Sequence, residues 1–380
     1  MGRFAFITYP PSAAIAKERF PFKGIWLPPW ATEPILTMLP PRSIGRIAGV
    51  ESIAGDVAEG VAIEIAATGR QLQTLGSPLL RRKLNDSLSW AKREGATVVG
   101  IGSLDHFLER YGQFVLQDDQ IMVTAGLGLS TAARLKAVEM VCFELGIDLA
   151  DEKVAVLEAD HPIGAIAARY LAQRIRYLAI SGSSMARLEI TASRILHESG
   201  LAVTICDWTY ALDDAMVVIL SGDSAGPDLG FLAGYLSSGA VLFDFRRDSI
   251  GNQNIIYPIC DQEAAAQGSM EALPFYLIKE VYLSIPGNLR IEPATFLKYP
   301  VVPPWIAEPM ILSMEDSGRF TRSPGRLVSM GWVNTIGQLA DRQGFFPVAV
   351  ESACGIVSMA EISKMTLASG QKANETISDA

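Results

Sequence analysis

Two glutamates occupy matching places in a pattern that occurs twice: Pro28-Pro29-Trp30-Ala31-Thr32-Glu33-Pro34-Ile35-Leu36 and Pro303-Pro304-Trp305-Ile306-Ala307-Glu308-Pro309-Met310-Ile311. A proline pair enters a helix at little cost in chain entropy, and a glutamate three residues after a tryptophan shares its helical face. Two such units are able to frame one site, with Trp30 and Trp305 as walls and Glu33 and Glu308 as catalytic carboxylates in acid/base roles. A recurrent way of starting a helix accounts for the pattern equally well. Each copy is followed at a distance by Val-Glu-Ser, at Val50 to Ser52 and Val350 to Ser352.

His161 is the third catalytic candidate. It lies in Val156-Leu157-Glu158-Ala159-Asp160-His161-Pro162-Ile163-Gly164, just after an apolar run, and open α/β sheets bind ligands at such strand ends. Glu158 or Asp160 is placed to cap the helix that starts near Pro162, which would fill that anion site from within. A second helix start, Thr124-Ala125-Gly126-Leu127-Gly128-Leu129-Ser130-Thr131, offers Gly126 and Thr131 to an anion, with a simply capped helix as the alternative. His197 reads as a helix-terminus residue. None of the three histidines and four cysteines (Cys142, Cys206, Cys260, Cys354) stands at metal-ligand or CxxC spacing, so no metal site is expected.

These groups need a scaffold, and the apolar runs supply one. Val154 to Leu157, Leu178 to Ile180, Ala202 to Ile205, Ala215 to Leu220 and Ala240 to Phe245 alternate with amphipathic stretches at Gly164 to Arg176 and Met185 to Ser199. Runs that are apolar throughout, separated by helices, mark a buried parallel sheet. The spacing predicts a Rossmann-like parallel core over 151–265. A mixed α/β domain is expected from 1–150, with strands near Arg3 to Tyr9, Val61 to Ala66 and Thr97 to Ile101 and with helices from Ser77 to Gly95 and Thr131 to Leu145. Residues 266–365 should return to that domain, so both termini build it, and the polar tail 366–380 should be disordered.

At 380 residues with 49% hydrophobic content the chain has material for two cores. Its net charge of −9, with basic residues scattered, speaks against nucleic acid as a partner. Prolines cut the first apolar patch short, and no run approaches the roughly 18 apolar residues of a membrane span. A cytoplasmic protein is the expectation.

The order of pieces resembles the bacterial long-chain acyl-[acyl-carrier-protein] reductases. The stretches that carry the resemblance are RRKLNDSLSWAKREGATVVGIGSLDHFLERYG, IMVTAGLGLSTAARLKAVEMVCFELGIDLADEKVAVLEADHPIGAIAARYL and the late IGQLADRQGFFPVAV. The resemblance implies an acyl-thioester domain ahead of an NADP-binding Rossmann domain, with acyl carrier protein as the partner. Much of the chemistry is replaced. The family's glycine-rich turn is matched by Val156 to Gly164, where Gly164 alone is kept; Ser183 stands where an arginine would hold the 2′-phosphate; Phe245 and Arg246 replace a glycine pair beside the nicotinamide. The nucleophilic cysteine is matched by Trp305, which forms no thioester. His106 lies in the family's channel loop, and Cys354 is the cysteine nearest the return segment.

Cofactor contacts, if made, therefore fall to Glu158, Asp160, Gly164, Ser183, Gly126 and Thr131. NADPH is what the resemblance implies, and Glu158 opposes it. A carboxylate about 4 Å from a phosphate costs roughly 4 kcal/mol at an effective dielectric of 20. Three readings stand at this point: an NAD(P)-dependent oxidoreductase of the acyl-thioester or aldehyde class, a non-catalytic binding or partner subunit on the same fold, and a different enzyme using the cleft for another small molecule.

Overall fold

The computed structural model describes residues 1–10, 16, 20, 29–74, 77–104, 121–222, 229–232, 234–246, 275–292, 301–315, 328–352 and 355–364. His106, Cys260, Cys354, the tail 366–380 and the side chain of Trp30 lie outside them. The chain is mixed α/β and divides into two compact units. The described residues of the first come from 1–130 and 283–346, those of the second from 131–246, 275–282 and 347–364. No helix among the described residues is long and apolar enough to cross a membrane.

In the first unit, strands β1 (Gly2–Thr8), β2 (Arg42–Glu51), β3 (Val57–Glu64), β4 (Val98–Gly100) and β5 (Met122–Thr124) join β12 (Gly287–Glu292) in the order β12-β2-β3-β1-β4-β5. The segment β3-β1-β4-β5 is parallel; β2 pairs antiparallel with β3, and β12 pairs antiparallel with β2. Period-two alternation decides which face each residue serves. Ala5 and Ile7 face a core with Leu80, Leu84 and Leu88 of helix α3 (Ser77–Arg93). Helices α1 (Pro29–Met38) and α2 (Gly69–Thr74) precede it in the chain. Lys83, 3% exposed, donates to the carbonyls of Leu36 and Leu39 at the end of α1, and burial pulls its ammonium down to about 8.

The second unit holds β6 (Lys153–Leu157), β7 (Tyr177–Ile180), β8 (Thr204–Ile205), β9 (Val217–Leu220), β10 (Val241–Asp244) and β11 (Tyr276–Ser284) in the order β8-β7-β6-β9-β10-β11, all parallel. This is the 3-2-1-4-5-6 order of a Rossmann sheet, with its switch point between β6 and β9. Strands β14 (Pro347–Ser352) and β15 (Gly355–Ser358) extend it beyond β11 as an antiparallel hairpin, and the end of β11 also pairs with β13 (Val301–Val302). Helix α4 (Leu127–Glu144) leads into this sheet. Helices α5 (Pro162–Leu171) and α6 (Met185–Ser199) pack together, whereas α7 (Trp208–Leu212) brings Ala211 and Leu212 against Ala155 and Leu157. Helix α8 (Leu229–Leu232) adds Leu232 to the same core.

Four of the five apolar runs end up where expected, as buried parallel strands; the run Ala202 to Ile205 gives only the two-residue, partly exposed edge strand β8. The first strand stops at Leu157, one residue before Glu158, because Glu158 has left the extended region for φ +57°. Gly200 closes α6 in the left-handed conformation (φ +75°), as the sequence requires. In the last third, α9 (Pro304–Met314) and α10 (Met330–Gln343) belong to the first unit, and α9 lies on β1, β3 and β4.

Candidate functional site

At the switch point of the second unit the β6–α5 turn keeps the backbone of a glycine turn without the glycine. Glu158 holds a left-handed conformation that costs an L-residue about 1–2 kcal/mol. The Glu158 carbonyl accepts from the amide of His161 at 2.9 Å and from the Ser221 hydroxyl at 3.1 Å, which pin the turn to the end of β9. Its carboxylate fills the space beside Gly222 (φ +99°), where an added Cβ would lie 1.5 Å from Oε2. The space at the carboxyl end of the first strand of this sheet thus holds a carboxylate of the chain itself.

Asp160 closes the neighbouring position. Its Oδ2 accepts from the Ser183 amide at 3.1 Å, the Ser183 hydroxyl at 2.9 Å and the Ser184 amide at 2.9 Å, where Ser184 is the N-cap of α6. Gly182 provides the room, since a Cβ there would stand 2.1 Å from Oδ1. The sequence placed such a carboxylate at the start of α5; the Asp160 bonds go instead to the amides at the start of α6, and His161, the N-cap of α5, makes no side-chain cap bond. The reason is geometric. The turn reverses at Glu158, so the Asp160 side chain is directed along the carboxyl edge of the sheet toward the end of β7. His161, the catalytic candidate here, is half-buried at this cap.

Gly164 is explained by packing. An added Cβ would meet Ser221 Oγ at 2.2 Å, the Glu158 carbonyl oxygen at 2.5 Å and Ala159 Cα at 3.0 Å, two of them backbone atoms. Gly164→Ala should therefore destabilise the second unit by about 2 kcal/mol through overpacking. Equilibrium urea unfolding of the variant against the native chain measures this, and an unchanged midpoint would show that α5 is free to shift.

Beyond the end of β10, Phe245 is 2% exposed and stacks edge-on against Phe243 at 6.3 Å. Arg134 of α4 lies over the Phe245 ring, donates to its carbonyl at 3.2 Å and pairs with Glu280 at 3.2 Å. Arg246 is paired with Asp244 at 2.7 Å. Bulky and charged side chains thus follow β10 at both positions.

The first unit contains the two repeated glutamates, and each meets a threonine near the end of a parallel strand. Glu308 is fully buried; one oxygen accepts from Thr124 Oγ1 at 2.5 Å, the other from the Leu129 amide at 2.7 Å, and the Trp332 indole also donates to it. Glu308 caps α4 from a position 179 residues distant from Leu129. Burial lifts its carboxyl above the ordinary range, and the three hydrogen bonds pull against that rise. Gly126, the anion-accepting candidate, and Gly128 give room to two tryptophans: a Cβ at Gly126 would meet Trp305 Cα at 2.4 Å, and one at Gly128 would meet Trp332 Nε1 at 2.2 Å. Trp305 also presses on Gly102. Thr131 is buried within α4.

Glu33 is half-buried and accepts from Thr68 Oγ1 at 3.3 Å, while its carbonyl accepts from Gln71 Nε2. Thr68 and Gln71 form a capping box at the start of α2, each side chain bonding the other's amide. Glu308 thus stands with Thr124 at the end of β5, and Glu33 with Thr68, four residues after β3. The paired Val-Glu-Ser segments end β2 and β14, where Ser52 and Ser352 hydrogen-bond within hairpin turns.

Sequence reading missed Ser221, Gly222, Gly182 and Trp332. Ser-Gly directly after an apolar strand was a usable sign for the first two; nothing local marks Trp332.

No protein-family model matches the chain, and no curated protein matches it. Among solved structures it is similar to L-tryptophan dehydrogenase from Nostoc punctiforme (14% identity, TM-score 0.32, 63% of this chain and 62% of that one). A second is quinate dehydrogenase from Corynebacterium glutamicum in complex with NAD (15%, 0.31, 64% and 79%). A third is Δ1-pyrroline-2-carboxylate reductase from Thermococcus litoralis in complex with NADH and L-proline (14%, 0.24), of which the chain spans 36% while 30% of this chain is covered. At these scores the likeness bears on neither substrate nor cofactor.

Proposed function

We propose that the chain is a non-catalytic relative of the acyl-thioester reductases that serves as a binding or partner subunit. The observation that carries this reading is the Asp160 carboxylate on the amides of Ser183 and Ser184, joined by Glu158 in the space beside Gly222. Both positions where dinucleotide phosphates would sit are supplied with negative charge by the chain. Trp305, seated on Gly102 and Gly126 in place of the family's cysteine, supports the same reading on the acyl side. With no nucleophile there, an acyl-thioester or an acyl carrier protein would be a binding partner and not a substrate.

A second reading, an NAD(P)-dependent oxidoreductase, is favoured by the strand order and by the glycine-like backbone of Glu158. It requires both carboxylates to leave when cofactor enters. Calorimetric titration of the native chain with NADPH and NADH separates the two. No saturable binding below about 1 mM is expected, and a Kd near 50 μM, roughly 6 kcal/mol, would restore the oxidoreductase reading.

A further inference from the structure

The six-stranded sheet of the first unit ends in β12, which has β2 on one side and no strand on the other among the described residues. Its exposed positions carry Arg290 and Glu292, two residues apart on one face, with Ile291 between them. Antiparallel pairing of two copies of β12 about a twofold axis through Ile291 sets Arg290 of each copy opposite Glu292 of the other. Axes centred on Arg290 or Glu292 would set like charges together. Charges on an edge strand ordinarily discourage pairing. Here their alternation admits one register and penalises its neighbours.

The surface beside this strand has the same character. An open depression of about 340 Å³ is lined by Arg3, Arg46 and Arg290 and by Glu59, Glu94 and Glu292, three charges of each sign, with Arg46 and Glu94 paired at 3.1 Å. The depression runs over the face of β1, β2 and β3, so of these charges Arg290 and Glu292 are the two on the edge strand itself; the chain as a whole carries −9, whereas these two positions sum to zero. An isologous contact sets one element against itself, and the Arg290–Glu292 alternation is self-complementary in this register. We propose that the protein forms a twofold homodimer by edge pairing of β12, joining two six-stranded sheets into one. This is independent of whether the second unit binds a dinucleotide.

Sedimentation velocity on the full chain tests it. The native protein should be dimeric at tens of micromolar. Arg290→Glu alone and Glu292→Arg alone should each weaken dimerisation by about tenfold or more, because two attractive cross-strand pairs become two repulsive ones. An equimolar mixture of the two variants restores opposite charges across the contact and should recover dimers, and so should the double variant R290E/E292R. Recovery on mixing distinguishes a lost contact from a damaged fold. A native chain that stays monomeric, single variants that dimerise like the native chain, or a mixture that does not recover would each overturn the proposal.

Discussion

Glu308→Ala is expected to destabilise the first unit by about 3–5 kcal/mol, since it leaves the Thr124 hydroxyl, the Leu129 amide and the Trp332 indole without their buried acceptor. Glu308→Gln keeps the volume but turns an amide NH2 toward a donor, for about 1–3 kcal/mol. A glutamine at this position is therefore no neutral probe of function, because it disturbs the fold. Chemical denaturation at a series of pH values adds a second check. Burial raises the folded-state pKa of Glu308 above its ordinary 4.5, so its stabilising contribution is fully present below about pH 4.5 and is lost as pH rises through the folded value. Glutamine does not titrate. The advantage of the native chain over Glu308→Gln should shrink as pH rises; an advantage that grew would mean the three donors hold the carboxylate ionised.

The double variant Glu158→Gly/Asp160→Ser should gain dinucleotide affinity by about three orders of magnitude or more. One carboxylate about 4 Å from a phosphate is worth roughly 4 kcal/mol of repulsion at an effective dielectric of 20, and these substitutions remove two. The backbone is already prepared: φ +57° at residue 158 suits glycine, and Ser183, Ser184 and the start of α6 become free to receive an anion. If Phe245 and Arg246 lie on the nicotinamide side, as proposed, they still fill it, so ADP-ribose should gain as much as NADH. Calorimetry with both ligands decides. If the variant binds no better than the native chain, the carboxylates are not what closes the site, and the case for a vestigial cofactor cleft fails.

How much of this was readable in advance depended on distance along the chain. Val154 to Leu157 and Val217 to Leu220 announce buried parallel strands because every residue in them is apolar, and helix α6 announces its end through Gly200. Strand β12 announces nothing: an edge strand alternates half-exposed and charged residues, as a loop does. Helix α9 carries Pro309 inside it, a residue that usually breaks a helix. In the candidate sites the participants were visible but their meetings were not. Glu308 and the loop from Thr124 to Thr131 each drew attention separately, and only the fold shows that one caps the other. Glu158 stood out by residue type in a turn where glycine is expected, yet no residue-level rule says that a glutamate will accept the glycine's backbone conformation there.

Lys83 has a use that its capping role does not suggest. An amine brought down to about 8 is the sort that attacks electrophiles at neutral pH, but this one is 3% exposed and engaged with two carbonyls. An acylating reagent reaches it only when the end of α1 lifts away. The rate at which Lys83 is labelled, followed by mass spectrometry, therefore clocks the opening of that one helix end, and because unfolding of the whole unit would expose every buried amide at the same rate, comparison with hydrogen exchange separates a local breath from a global one.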